Sequence, residues 1–277
     1  MLTFAQSIDG KRATSTGASK YISEKASLEL NQQMRMEYDA ILVGIGTVLK
    51  DNPLLTCRID DNCSPLRVLL DPSLKIPLDS QIALTASEVD TLLFYDADGA
   101  EDSSDKEAGG KIQQLQELGM RLKGITATGS GQLDLKMVLE HLESSGIRSV
   151  MVEGGSAVLT SFLRQGLWDE MVIVSAPRII GDGIPSFGKL GVESLDDALA
   201  PEVKDIRIMG TEVAWNLVKP SLQPAGAETR TVYFSAPGKV EVKSGLLENR
   251  RPDEKLFHSR IMAISPGTEK QIFLGNF

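Results

Sequence analysis

VMVEGGSAVL, residues 150–159, decides how the chain is read. Residues 149–152 form a short apolar, β-branched run that ends at the glycine pair Gly154–Gly155. Ser156 is a candidate cap for a following helix whose apolar face is Ala157, Leu159, Phe162 and Leu163. A strand, a glycine turn and a helix start therefore follow in order. The first amides of such a helix lack intrahelical partners and suit the phosphates of a nucleotide. Paired glycines let a ligand approach the backbone without meeting a Cβ. Glu153 stands on the lip between strand and turn, an odd place for a carboxylate with nothing to bind. The plainer alternative is an ordinary tight βα connection.

Outward from this stretch, residues 2–5 read as a first strand and residues 6–20 as a polar loop. A helix is expected from residue 23 to about 38, with Ala26, Leu30 and Met34 on one side. The continuous apolar run at 40–43 reads as a buried strand, and residues 44–48 turn out of it toward Asp51-Asn52-Pro53. Residues 67–70, 91–95, 120–127 and 171–176 read as further strands, and 111–118 and 135–142 as helices. A closing hairpin is expected at 206–209 and 212–218. Strands alternating with helices indicate an α/β domain with a mostly parallel central sheet, flanking helices and an antiparallel C-terminal hairpin. Residues 96–110, DADGAEDSSDKEAGG, carry acids at four calcium-loop positions, but Ala100 and Glu101 stand at the fifth and sixth. The calcium reading fails, and a solvated, mobile insertion is expected. The main domain is read as residues 1–218. From about 219 the composition changes, periodicity fades outside 231–234, and a poorly ordered tail is expected.

The 277 residues carry a formal net charge of −9. That balance argues against nucleic acid or an anionic membrane as partner. Cys57 and Cys63 are the chain's 2 cysteines, too few for a disulfide scaffold or a zinc site, so reduced thiols in a reducing compartment are expected. No apolar run is long enough for a membrane span. The opening MLTFAQSIDGK has no basic-then-apolar signal pattern, and a strand so close to the start suggests a cytoplasmic protein or a clipped start.

Three loops at strand ends collect the remaining chemistry: 5–19, 44–58 and 153–158. In open α/β sheets the ligand crevice lies beyond the strand C-termini. Together LTFAQSIDGK (2–11), DAILVGIGTVLKDNPLL (39–55) and VMVEGG (150–155) resemble the reductase family of riboflavin biosynthesis. Asp169-Glu170 and Pro177…Gly181 fit the same pattern, and the resemblance covers about residues 1–218. It implies a dihydrofolate reductase-like fold, NADPH as cofactor and a homodimer. The implied reaction reduces a ribosylamino-pyrimidinone 5′-phosphate to the ribitylamino compound. Bacterial members often carry a zinc deaminase marked by H-x-E and P-C-x-x-C; the only histidines here are His141 and His258 and no C-x-x-C occurs, so that deaminase is not expected. The match is therefore to the stand-alone fungal type. Its implied substrate is 2,5-diamino-6-ribosylamino-4(3H)-pyrimidinone 5′-phosphate.

The resemblance carries roles onto individual positions. Ala5, Tyr21, Thr47, Asp51, Ile125, Gly154, Gly155, Ser156, Ala157 and Val158 match cofactor contacts. Ser19, Arg35, Leu55, Arg58 and Glu153 match substrate contacts, with Arg35 and Arg58 converging on the phosphate. Two forked guanidinium groups suit a dianion. Hydride transfer to C1′ of the ribose requires the sugar to open to an imine, because the closed ring has no unsaturated carbon. Glu153 is the candidate proton donor to the ring oxygen. Two other readings stand beside this one: a nucleotide-binding protein on the same fold without turnover, and a related reductase acting on the deaminated pyrimidine.

Overall fold

A computed structural model describes residues 1–19, 24–59, 64–102, 106–128, 131–220, 228–236 and 239–246. The chain divides into two compact units, Met1–Pro220 and Ser221–Phe277.

The first unit opens with β1 (Leu2–Ser7), β2 (Lys11–Ala13), α1 (Lys25–Glu37), β3 (Ala40–Gly44) and α2 (Ile45–Asp51). Next come β4 (Leu66–Leu70), α3 (Gln81–Leu84), β5 (Thr91–Asp96), α4 (Ala97–Asp102), α5 (Lys106–Glu117) and β6 (Arg121–Ile125). It closes with α6 (Leu135–Ser144), β7 (Val150–Val152), α7 (Ser156–Arg164), β8 (Glu170–Ala176), β9 (Ile184–Pro185), β10 (Glu202–Met209) and β11 (Glu212–Val218). Among the described residues these build a nine-stranded sheet in the order β10-β11-β8-β1-β7-β3-β4-β5-β6. From β8 through β6 every neighbouring pair is parallel, while β11 runs antiparallel to β8 and β10 antiparallel to β11.

The largely apolar β3, β4 and β5 are buried on both faces, the fully buried Arg67 of β4 included. Ala40, Leu42, Val68 and Phe94 face one core with Val138 and Leu142 of α6 and Leu159 and Phe162 of α7. Ile41, Val43, Leu69 and Leu93 face the other, under Val48 of α2, Ile82 of α3 and Leu115 of α5. Met151 is in register with Ile41, so α1, through Met34 on Met151 and Val172, extends that second layer over β7 and β8.

The chain winds outward from β3 to β6 and then returns to place β7 between β1 and β3. The direction of winding reverses there, which is where open sheets leave a crevice beyond the strand ends. All the strands bordering the reversal are parallel, so their C-terminal ends share one edge.

Three expectations need correction. Residues 45–51 are a helix rather than a plain turn, because Val48 finds a core to enter. The stretch read as a mobile insertion holds α4, and α5 begins at Lys106, five residues before the apolar signal at Lys111. Once Ile112 and Leu115 dock, the preceding turns extend at little cost. Ser156 is the first helical residue and does not cap α7; Gly155 holds the cap position at φ 82°. The Ser156 hydroxyl instead donates to the Pro185 carbonyl at 2.9 Å, fastening α7 to β9.

In the second unit, β12 (Glu228–Ala236) and β13 (Lys239–Leu246) pair as an antiparallel hairpin. The sequence shows only the 231–234 run there. No helix among the described residues is long and apolar enough to cross a membrane.

Candidate active site

Two adjoining cavities occupy the crevice at the C-terminal ends of β1, β3 and β7. The first, about 240 Å³, is walled by Phe4 and Ala5 of β1, by Ser27, Asn31 and Met34 of α1, and by Thr47, Asp51, Glu153, Gly154 and Gly155. The second, about 330 Å³, runs under α7 along Ser156, Ala157 and Val158 and out to Leu70, Pro72 and Gln132. Arg12, Thr47 and Gly155 border both.

The turn after β7 presents open backbone to the crevice. Gly154 and Gly155 have φ of +86° and +82°, where a side chain is strained, and a Cβ on Gly154 would point into open space. A Cβ on Gly44 would come within 2.7 Å of the Val158 side chain, so the glycine at the end of β3 lets α7 sit this close. The Thr47 hydroxyl is buried beside this turn and has no hydrogen-bond partner among the described residues. A buried, unsatisfied hydroxyl costs free energy unless a ligand completes it.

The floor near α1 is organised differently. Glu153 takes both oxygens to Arg35, from Nε to Oε1 and from Nη2 to Oε2, each at 2.6 Å. Arg35 gives its remaining arm to the Thr56 carbonyl at 2.7 Å. The two side chains are only 10% and 12% exposed. The pair is electrically neutral as a unit, and both Glu153 oxygens are held as acceptors. Glu153 still lines the first cavity, whereas Arg35 stands behind it.

Across the cavity, the loop joining β1 to β2 is fixed by Asp9. Its carboxylate accepts from the Ser7 hydroxyl at 2.6 Å and from the Ile180 and Gly181 amides after β8. These contacts, the Ser7 hydroxyl first, lower its pKa to about 2. With the Ser186 amide donating to the Gly10 carbonyl, they hold β2 and hence Arg12 against the cavities.

Of the positions singled out in the sequence, Ala5, Ser19, Thr47, Asp51, Glu153, Gly154 and Gly155 line the first cavity. Ser156, Ala157 and Val158 line the second. Leu55 does not reach either: it is 3% exposed and packs in the core beneath α2. Ile125 is also a core residue, at the end of the edge strand β6. Both are apolar side chains packed among the buried residues of the two core layers. Arg35 faces Glu153 and not an open cavity, since burial requires a counter-charge. Arg58 is exposed, and its amide donates to Gln32 of α1 at 2.7 Å. Tyr21 lies outside the described residues. Arg12 and Asn31 went unread, because an arginine in a polar loop and an asparagine on a helix carry no spacing signal.

The family model described as the RibD C-terminal domain matches residues 1–214. The riboflavin biosynthesis protein RibD of Aquifex aeolicus is 37% identical over 216 residues, which cover 76% of this chain and 55% of that protein. A Methanothermobacter thermautotrophicus protein named 2,5-diamino-6-ribosylamino-4(3H)-pyrimidinone 5′-phosphate reductase is 33% identical over 220 residues, covering 77% of this chain and 94% of the relative. Among solved structures, Acinetobacter baumannii RibD superposes with a TM-score of 0.65 at 27% identity, over 78% of this chain and 56% of that one. The chain thus spans about half the length of the RibD proteins it matches. With its sheet order, its paired-glycine turn and the family match agreeing, this chain belongs to the RibD C-terminal domain family.

Proposed function

We propose that Met1–Pro220 is an NADPH-dependent reductase that converts the ribosyl side chain of 2,5-diamino-6-ribosylamino-4(3H)-pyrimidinone 5′-phosphate to the ribityl form. The observation that carries this reading is the pair of cavities meeting at Arg12, Thr47 and Gly155. One chamber suits the adenosine half of a dinucleotide. The other has room for the nicotinamide beside a second ligand.

The residues present fit a dinucleotide. The unsatisfied Thr47 hydroxyl and the positive-φ glycines form a cradle for its phosphates. Ala5, Asp51, Ser156, Ala157 and Val158 complete the walls. When bound, the reduced nicotinamide supplies the hydride for C1′ of the opened sugar. The chain's task is positioning, which is worth several kcal/mol of barrier, about 7 or more in well-oriented systems. Glu153, with its oxygens fixed by Arg35, accepts hydrogen bonds from the substrate rather than giving it a proton. Ser19 and Asn31 offer further polar contacts. Arg58, exposed beside α1, supplies the cation for the substrate's 5′-phosphate.

A homodimer in the cytoplasm completes the reading. Ile206 and Ile208 on the edge strand β10 are 48% and 80% exposed, and apolar side chains exposed on an edge strand favour association with a second copy.

The test is to mix the purified chain, NADPH and the diamino substrate and follow the absorbance of the reduced nicotinamide. Oxidation that requires the substrate supports the proposal. Failure of folded protein to oxidise NADPH with either this pyrimidine or its deaminated form removes it. Preference for the deaminated form moves the substrate assignment and leaves the chemistry.

A further inference from the structure

The diphosphate of a dinucleotide spanning both cavities has to lie where they join, and the charges there are unequal. Among the described residues, Arg12 is the only ionisable one lining the second cavity. In the first, Glu153 is already neutralised by Arg35, which leaves Arg12 and Asp51. The Arg12 guanidinium is half-buried and has no hydrogen-bond or ion-pair partner among the described residues. Arginines this close to a packed wall ordinarily find a carboxylate or a carbonyl, as Arg35 and Arg67 do here. Its backbone is held from both ends, by the Asp9 contacts to the loop after β8 and by pairing of β2 with β9.

We infer that Arg12 is the cofactor-diphosphate clamp of this chain, acting with the Thr47 hydroxyl and the amides at Gly155. The inference rests on the proposed dinucleotide reading and adds the residue that supplies its counter-charge. A substrate phosphate is the poorer match: Glu153 and the α1 residues proposed to hold the substrate line the first cavity alone, whereas Arg12 borders both. A planar fork meets two phosphate oxygens with parallel, fixed donors, a geometric match that a lysine ammonium lacks.

NADPH titration of the full chain, followed by nicotinamide fluorescence, tests this with Arg12→Ala and Arg12→Lys beside the unaltered protein. Loss of a charge-assisted contact predicts a Kd about tenfold or more higher for Arg12→Ala, with Arg12→Lys between. The salt dependence of Kd is expected to flatten in Arg12→Ala, the substrate KM to change less than twofold, and the ligand-free melting temperature to stay the same. An NADPH Kd within twofold of the original overturns the inference, as does a rise confined to substrate KM. If the unaltered chain binds no NADPH at millimolar concentration, the dinucleotide reading fails and the clamp with it. Binding by the unaltered chain and by Arg12→Ala alike removes the clamp alone.

Discussion

The two sides of the cleft are built in different ways. On the side of α7, the wall is backbone: two glycines at positive φ, the first turn of a helix, and a hydroxyl with no partner among the described residues. On the side of α1, the wall is side chains already committed to one another, with Arg35 and Glu153 joined twice at 2.6 Å. The first wall is open to a ligand and the second is preassembled. A motif that reads as contacts on both sides therefore means different things on each: ligand-facing atoms on one, support for such atoms on the other.

Arg35→Ala separates the two roles most strongly. Removing one partner of a buried pair leaves the other charge uncompensated, at a cost of about 3–5 kcal/mol. That corresponds to a fall of roughly 10 °C in melting temperature for a domain this size. The double change Arg35→Met with Glu153→Leu is expected to recover part of the loss while substrate turnover stays low. If Arg35 instead gripped substrate directly, the single change would depress kcat/KM at an unaltered melting temperature.

Leu55→Ala comes next. As a core residue it is expected to lose about 2–4 kcal/mol of stability in denaturant titration, with substrate KM unchanged where folded protein is measured. A shift in KM without destabilisation would return Leu55 to the site. Thr47→Val removes the orphan hydroxyl at constant shape. Stability is expected to hold or rise slightly, while NADPH Kd rises about three- to tenfold. The reverse pattern would make Thr47 structural.

The smallest effect concerns the loop tether. Asp9 has its pKa lowered from 3.8 to about 2, so its contribution is complete above pH 3.8 and is lost as pH falls through about 2. Melting temperature between pH 5 and pH 2 is expected to fall more steeply for the original chain than for Asp9→Asn. Parallel curves would show that the Asp9 contacts to Ile180 and Gly181 carry no stability.

Much of this was legible in the sequence because the informative signals are local. The apolar run of β3 announces a buried strand, and the glycine pair announces a turn that only glycine forms easily. The Arg35–Glu153 pair was not legible, since its members are 118 positions apart and either alone reads as a ligand contact. Arg12 became visible only when β9, far along the chain, paired with β2 and turned a polar loop into a cavity wall. Residues 96–110 misled because composition describes solvation and not the docking of Ile112 and Leu115 that follows.

The central claim is that a dinucleotide and a pyrimidine ribose phosphate lie together in the joined cavities with C4 of one against C1′ of the other. A single turnover with NADPH dideuterated at C4, so that either face delivers the label, tests it directly, with the product examined by mass spectrometry and NMR. The account predicts one deuterium at C1′ of the ribityl chain. Product without that label, or label at any other carbon, would contradict it.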